Sequence, residues 1–160
     1  MSFTTKANGN KEWRKDGKLH RDGGLPAIEY ANGDKLWYKD GKLHRDGDLP
    51  AMEYVSGSKY WYKNGKLHRD GNLPASERKH GNKEYKEWWK NGKRHRAGDL
   101  PAIEYAGGYK AWYKDGRWYT VPWYTVPKTN PKTIQRLRER KEEREEILRG
   151  GPCVICAINK

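Results

Sequence analysis

Residues 36–54 read Leu-Trp-Tyr-Lys-Asp-Gly-Lys-Leu-His-Arg-Asp-Gly-Asp-Leu-Pro-Ala-Met-Glu-Tyr, and the chain contains four versions of this wording. The landmarks recur every 24 residues, as Trp13, Trp37 and Trp61 do. Self-similarity at a period of about 20 to 50 residues is typical of repeat proteins, in which each unit packs mainly on its neighbours. The sequence therefore predicts units of about 24 residues over residues 9–117.

The composition argues against a deep hydrophobic core. Only 34% of the residues are apolar, 34% are charged, and there is a single Phe. Trp and Tyr supply most of the 12% aromatic content, and these side chains bury a large area while keeping a polar edge in water. We therefore expect a mainly β protein, an elongated antiparallel hairpin-repeat sheet with half-buried faces.

The net charge is +13, and the excess is spread along the sequence. Residues 1–127 hold 25 Lys or Arg and 16 Asp or Glu, and residues 128–160 hold 9 and 5. Such a basic protein attracts nucleic acid, anionic lipid or an acidic protein surface. An equally good interpretation is that the charge keeps a chain rich in exposed aromatic residues soluble.

The chain has no apolar run near Met1 of the kind found in secretory signals, and no stretch approaches the roughly 20 apolar residues of a membrane span. Its two cysteines, Cys153 and Cys156, lie beyond the repeats, which are therefore not a disulfide framework. These features predict a soluble intracellular protein without a transmembrane segment.

Each unit has the pattern of an antiparallel meander. In the third unit, residues 51–54 and 59–63 favour strands, and a turn at residues 55–57 joins them. Asn64-Gly65 then closes a tight hairpin into residues 66–69, because Asn-Gly and Asp-Gly supply the positive φ such turns need. The corresponding turn glycines are Gly17, Gly41, Gly65, Gly92 and Gly116.

The register of these hairpins stays open in the sequence. A two-residue turn at Asp40-Gly41 places Trp37 opposite His44 and Lys39 opposite Lys42, a mildly unfavourable pair of like charges. A bulge at Gly41 shifts the partners by one residue, so that Trp37 meets Leu43. The like-charge pair slightly favours the bulge.

Stacked units are expected to share one core, since a single unit cannot bury its apolar face alone. The predicted core residues recur once per unit: Trp13, Trp37, Trp61, Trp88, Trp112, Leu19, Leu43 and Leu67. The fourth unit is irregular, because the spacing from Gly65 to Gly92 is 27 residues. The extra residues predict a bulge or loop near residues 85–87.

Four further segments flank the repeats. Residues 1–8 are an N-terminal extension, and residues 118–130 are a cap and linker in which Trp-Tyr-Thr-Val-Pro occurs twice. Residues 131–149 are expected to form a helical arm, with Asn130 as N-cap, Pro131 at the first helical position and many Arg and Glu. Residues 150–160 are an apolar tail, in which Val154, Ile155 and Ile158 are candidate anchors for adding a strand to a partner or to this chain's own sheet edge.

No residue is predicted to be catalytic or to bind a cofactor, and we expect a protein that is not an enzyme. His-Arg-Asp recurs at residues 20–22, 44–46 and 68–70 and is similar to part of the protein-kinase catalytic loop. That loop also needs Asn five residues after the Asp, where this chain has Ala27 and Ala51. A catalytic residue is also needed only once, whereas this triplet returns in successive units.

No metal site is predicted either. The histidines His20, His44, His68 and His95 are expected to form a row, and such rows bind metals or respond to pH in some proteins. No Cys or second His joins them within a unit, so the favoured interpretation is a His packed beside Trp with its other edge in water. Cys153 and Cys156 fit zinc shared between chains, a disulfide or two small buried thiols, and the last is favoured.

The motif Tyr-x-Asn/Asp-Gly-Lys-x-His, as in residues 38–44, resembles the MORN repeat (membrane occupation and recognition nexus). The closer similarity is to a variant class in which His-Arg-x-x-Gly-x-Leu-Pro-Ala links Trp-Tyr-x-x-Gly hairpins, and it covers residues 9–117. The resemblance implies a twisted antiparallel sheet that acts as a scaffold or interaction module, in some members with anionic lipid. Similar arrays in large DNA viruses imply a viral protein that is a component of the virus particle.

We therefore expect a non-enzymatic repeat scaffold for protein–protein docking or self-assembly. The alternative is a basic protein that binds nucleic acid or anionic membrane surfaces. Aromatic residues interleaved with lysine, as in Lys59, Trp61 and Lys63, would suit base stacking, although the same rings are also the only available core.

Overall fold

The computed structural model describes residues 1–120, which form a mainly β structure with no helix in this part of the chain. All of its strand pairs are antiparallel. The strands are β1 Ser2–Thr5, β2 Lys11–Lys15, β3 Lys18–Leu19, β4 Ile28–Glu29, β5 Lys35–Leu36, β6 Tyr38–Lys39, β7 Lys42–Leu43, β8 Met52–Glu53, β9 Lys59–Tyr60, β10 Tyr62–Lys63, β11 Lys66–Leu67, β12 Ser76–His80, β13 Lys83–Glu87, β14 Trp89–Lys90, β15 Lys93–Arg94, β16 Ile103–Tyr105, β17 Lys110–Lys114 and β18 Arg117–Tyr119.

The spatial order of the strands follows the chain. The main sheet runs β1-β2-β4-β5-β8-β9-β12-β13-β16-β17-β18, with β3 paired to β2. In units two to four the chain also forms three separate two-stranded hairpins, β6-β7, β10-β11 and β14-β15. Each unit therefore pairs with the units before and after it, which confirms the expected antiparallel hairpin-repeat sheet.

The hairpins close with two-residue turns, so the bulged register favoured from the sequence is wrong. Tyr38 lies opposite Leu43 and Lys39 opposite Lys42, which places Trp37 opposite His44. Asp40 and Gly41 have φ values of 51° and 80°, the mark of a type I′ turn. This turn matches the twist of the strands, and the like-charged lysines are tolerated because both side chains extend into solvent.

The fourth unit also differs from its expected structure. Strands β12 and β13 pair without interruption from Ser76 opposite Glu87 to His80 opposite Lys83. The prediction of a bulge or loop near residues 85–87 is therefore wrong. The three extra residues lengthen both strands of the hairpin, which ends in a turn at Gly81-Asn82, and so they add paired backbone instead of an unpaired bulge.

A ladder of alternating charge crosses the sheet from one unit to the next. Its members are consecutive cross-strand partners: Lys11, Glu29, Lys35, Glu53, Lys59, Glu77, Lys86, Glu104 and Lys110. Opposite charges at facing positions stabilise a strand pair by up to about 1 kcal/mol, and a slip of one residue would separate them. The ladder thus favours this register. Its glutamates make their close ion pairs with arginines, and within residues 1–120 none of them lies within 4 Å of the charged group of a ladder lysine.

The core is a row of Trp and Ala. Trp37, Trp61 and Trp88 are buried, with 5%, 6% and 5% of their surface exposed. The alanines before β4, β8, β12 and β16 are fully buried: Ala27, Ala51, Ala75 and Ala102. Each Trp amide donates to the carbonyl of an Ala, as Trp37 does to Ala51 at 2.8 Å. A small side chain at that position lets the two backbones approach while the indole covers them.

The other residues predicted for the core are less buried. Trp13 and Trp112, in the first and last units, are half-buried, and so are Leu19, Leu43 and Leu67. Within residues 1–120 each end indole has a neighbouring repeat on one side only, which explains its greater exposure.

The segments that flank the repeats are described in part. Strand β1, within the predicted extension, pairs with β2 and places Phe3 opposite Trp13, with ring centroids 4.8 Å apart. At the other end β18 includes Trp118 and Tyr119 from the predicted cap. The remainder of the cap, the helix over 131–149 and the tail over 150–160 lie outside the described residues.

Among residues 1–120 there is no helix of the length and apolar character that a bilayer crossing requires.

Candidate docking site: the grooves between repeats

In each of the first four repeats one arginine links the Trp of that repeat to the loop and the Glu that follow it. The guanidinium of Arg45 lies 3.7 Å from the ring centroid of Trp37. Its Nη1 donates to the Pro50 carbonyl at 3.1 Å and to Glu53 Oε1 at 2.8 Å. The same cluster occurs in the other units, as Arg21 with Trp13 and Glu29, Arg69 with Trp61 and Glu77, and Arg96 with Trp88 and Glu104. It combines a cation–π contact with a charge-assisted hydrogen bond and so orders the loop between Arg45 and Glu53.

The tryptophans also join one repeat to the preceding one. Trp37 Nε1 donates to the Gly24 carbonyl at 2.8 Å, and Trp61 Nε1 donates to the Asp48 carbonyl at 3.0 Å. The later members of this series are Trp88 to Asn72 and Trp112 to Asp99. A buried indole N–H needs an acceptor, and here the loop of the neighbouring unit supplies it.

Each histidine joins its own hairpin to the next. Nδ1 of His44 accepts the backbone N–H of Asn64 at 3.1 Å, so its ring proton lies on Nε2, which contacts Asp46 Oδ1 at 2.9 Å. His20 and His68 repeat both contacts, with Asp22 and Asp70 as the carboxylates. The hydrogen bond from the imidazole is the main cause that lowers the pKa of Asp22, Asp46 and Asp70 below the usual value.

A second hydrogen bond reinforces the contact between hairpins. The amide of Gly41 donates to the Leu19 carbonyl at 2.8 Å, and Gly65 donates to Leu43 at the same distance. Gly92 and Gly116 continue the series to Leu67 and Arg94. The turn of each hairpin therefore lies against the preceding hairpin and is bonded to it twice, once through His and once through a carbonyl.

Between successive repeats lie three equivalent grooves, with volumes of about 300, 230 and 110 Å³ along the chain. The middle groove is bounded by the loop from His44 to Leu49 and by the next unit's Trp61, Tyr62 and Lys63. An exposed leucine recurs in them, Leu25, Leu49 and Leu73, with between 43% and 49% of its surface exposed. Burial raises the pKa of the Tyr62 hydroxyl, so this side chain of the wall stays neutral.

One loop position makes a different contact in each repeat. Asp48 receives a bidentate hydrogen bond from Arg69, from Nε at 3.1 Å and from Nη2 at 3.1 Å. The equivalent loop position is Gly24 in the repeat before Arg45 and Asn72 in the repeat before Arg96. Neither residue offers a carboxylate, and the buried Nε atoms of Arg45 and Arg96 have no hydrogen-bond partner within residues 1–120. Asp48 and Asn72 share the same backbone conformation, with φ of 53° and 56°.

Exchanging these two residues should therefore shift stability in opposite directions. We expect Asp48→Asn to lower the free energy of unfolding by about 0.5–1 kcal/mol, because it removes a half-exposed bidentate ion pair. Asn72→Asp should raise it by a similar amount by supplying a carboxylate to Arg96. Urea denaturation measures both, and the double variant, which has the wild-type charge, is the control with little net change. Equal signs for the two single variants would contradict this account.

Glu87 forms a buried polar cluster that the sequence analysis missed. Only 5% of its surface is exposed, and its cross-strand partners in the sheet are Ser76 on one side and Ile103 on the other. Its Oε1 accepts from Arg78 at 2.7 Å and from the Tyr105 hydroxyl at 2.9 Å. Its Oε2 accepts from Trp89 Nε1 at 3.2 Å and from Arg94 Nε at 3.3 Å. The available signal was a Glu directly before Trp88, where the second and third units have Leu36 and Tyr60, although the first unit also has Glu12 there.

The residues singled out in the sequence have structural partners. In the His-Arg-Asp triplet of residues 44–46, His44 lies between two hairpins and its imidazole contacts the Asp46 carboxylate. The Arg45 guanidinium stacks on the Trp37 ring. Within residues 1–120 no three His, Cys, Asp or Glu side chains are placed to hold a metal ion. The turn glycines Gly17, Gly41, Gly65, Gly92 and Gly116 all have positive φ. The candidate anchors Val154, Ile155 and Ile158, and both cysteines, lie outside the described part of the chain.

Comparison with known proteins gives no relative from which a role for these grooves could be taken. A scan of protein-family models gives no match to this chain, and a search of curated proteins returns no significant sequence relative.

Proposed function

We propose that the chain is a non-enzymatic repeat scaffold that docks a partner protein along the grooves between its repeats. The observation that carries the proposal is the recurrence of one groove three times, each with an exposed leucine beside a Trp or Tyr wall. Single exposed leucines are ordinary on protein surfaces, but a regular row of them beside shallow grooves is typical of an interaction surface.

The spacing of the grooves indicates the form of the partner. Each repeat contributes two strands to the main sheet, so equivalent points recur roughly every 9–10 Å. A polyproline II segment advances about 3.1 Å per residue with three residues per turn, so every third side chain points the same way and would meet the next groove. A segment in this conformation with an apolar residue at every third position therefore fits the row. The resemblance to MORN-type repeats supports a scaffold role and adds the particle of a large DNA virus as its proposed setting.

Selection from a library of random displayed peptides tests this proposal. Peptides that bind the full chain should carry apolar residues three positions apart, and a variant with Leu25, Leu49 and Leu73 replaced by Ser should lose at least about tenfold in affinity, since each buried leucine contributes about 1.5–3 kcal/mol. The matched control replaces Tyr30, Val55 and Tyr109, which are 38%, 69% and 58% exposed and lie outside the grooves, and should bind normally. If the control loses as much affinity as the leucine variant, the grooves are not the docking site.

A further inference from the structure

The tips of the hairpins carry most of the net positive charge of the described chain. Each tip is a four-residue turn with a cation on both sides, at residues 15–18, 39–42, 63–66, 90–93 and 114–117. Together these turns hold ten Lys or Arg and three Asp, a net charge of +7, whereas residues 1–120 as a whole carry +9. The turns at the opposite ends of the strands, residues 7–10, 31–34, 55–58, 80–83 and 106–109, carry one Asp and one Lys.

The ten cations form two rows with different surroundings. The inner row precedes the turns and consists of Lys15, Lys39, Lys63, Lys90 and Lys114. The first three each lie within 3.4–3.9 Å of an Asp carboxylate, whereas Lys90 and Lys114 have no such partner within residues 1–120. The outer row follows the turns and consists of Lys18, Lys42, Lys66, Lys93 and Arg117. Within residues 1–120, no carboxylate lies within 4 Å of these five charged groups.

The backbone holds the outer row in line. A Cβ built on Gly41 would lie 3.6 Å from Cβ of Lys18, and the same contact recurs between Gly65 and Lys42 at 3.7 Å. The stem of each lysine thus lies against the turn of the next hairpin, and its ammonium group is exposed beyond it. Two nearby acids, Asp40 and Asp115, are directed elsewhere, with Oδ1 at 2.9 and 3.0 Å from the imidazoles of His20 and His95.

From this row we infer a second binding surface, independent of the proposed docking grooves, for the phosphate backbone of a nucleic-acid duplex. Five cations at intervals of roughly 10 Å form a line about 40 Å long, which matches a linear polyanion of about 12 base pairs. The five turns themselves contain no apolar side chain that would enter a bilayer, and Trp118 beside the last turn is a single exposed indole. No donor array on the tips is shaped to read base edges, so this surface binds without regard to sequence.

Salt dependence measured on the full chain tests the inference, with a labelled 20-base-pair DNA duplex of arbitrary sequence as the probe. Contact with up to five phosphates gives a slope of about −4.5 in log K against log salt, or about a 500-fold loss of affinity between 50 and 200 mM salt. Replacing Lys18, Lys42, Lys66, Lys93 and Arg117 by Gln should abolish this slope and reduce affinity at 50 mM salt by at least about 100-fold.

The charge ladder of the sheet provides the matched control. Replacing Lys11, Lys35, Lys59, Lys86 and Lys110 by Gln removes the same five charges from positions that face glutamates. This control should bind the duplex with the wild-type salt slope, once circular dichroism shows that both variants are folded. Equal losses in the two variants would show an effect of net charge only and overturn the inference. Binding of the wild type to phosphatidylserine vesicles without binding to the duplex would overturn it in favour of a membrane surface.

Discussion

Replacing Trp37 with alanine should lower the free energy of unfolding by about 3–5 kcal/mol, the usual cost of removing a buried Trp. The indole is 5% exposed, stacks under Arg45 and donates its N–H to the Gly24 carbonyl of the preceding unit. Its loss opens a cavity, leaves a carbonyl without its donor and frees the loop that Arg45 orders. Because most domains are stable by only about 5–15 kcal/mol, we expect several neighbouring units to unfold together in urea.

Trp118 is the matched control for this prediction, since 62% of its surface is exposed on the last strand. Trp118→Ala should change the free energy of unfolding by about 0.5 kcal/mol or less. If Trp37→Ala is as mild as Trp118→Ala, the tryptophan row is a surface feature, and the Arg–Trp–Glu clusters do not stabilise the sheet.

Glu87→Ala should cost about 2–4 kcal/mol. The carboxylate accepts four hydrogen bonds at a buried position, and its removal leaves Arg78 and Arg94 without their common anion. Breaking a fully buried ion pair costs about 3–5 kcal/mol, and the lower figure here reflects that Arg78 and Arg94 remain partly exposed and can be hydrated.

Two further variants separate charge from volume at this site. Glu87→Gln keeps the side-chain size and should still cost at least about 1 kcal/mol, because an amide presents only one acceptor oxygen. Glu84→Ala removes a carboxylate that is half exposed and pairs loosely with Lys79 and Lys86, so it should change stability by about 0.5 kcal/mol or less. Equal thermal melting of the Glu84 and Glu87 variants would mean that the cluster does not hold the longer fourth hairpin in place.

The sequence was most informative where a local rule decides the structure. Asp-Gly and Asn-Gly indicated the hairpin turns, and the 24-residue period indicated the repeat sheet, because each unit repeats the same local chemistry. The register was misjudged for an energetic reason. A like-charge pair on an exposed surface costs a few tenths of a kcal/mol, which is less than the preference of Asp40-Gly41 for the type I′ turn.

The fourth unit and the groove walls depend on contacts between units that the sequence does not display. Three extra residues can form a bulge or lengthen a hairpin, and pairing along the whole of β12 and β13 decides the outcome. The roles of Arg45, His44 and Glu53 were also hidden, since their partners lie in other strands or in the next unit. A residue type recurring at fixed spacing shows that a position matters and leaves open what it contacts.

Hydrogen exchange at the hairpin turns tests most directly whether successive repeats are bonded to one another, the condition on which both the grooves and the outer row of cations depend. In an isolated type I′ hairpin the two turn amides point into solvent and exchange at the rate of an unstructured peptide. Here the amides of Asn64 and Gly65 donate to His44 and Leu43 of the preceding unit, at 3.1 and 2.8 Å. We predict that these amides, and those of Asn91 and Gly92, exchange at least about 100-fold more slowly than the unstructured rate. Unprotected turn amides beside protected strand amides, such as that of Tyr60, would contradict the account and show hairpins that stand apart.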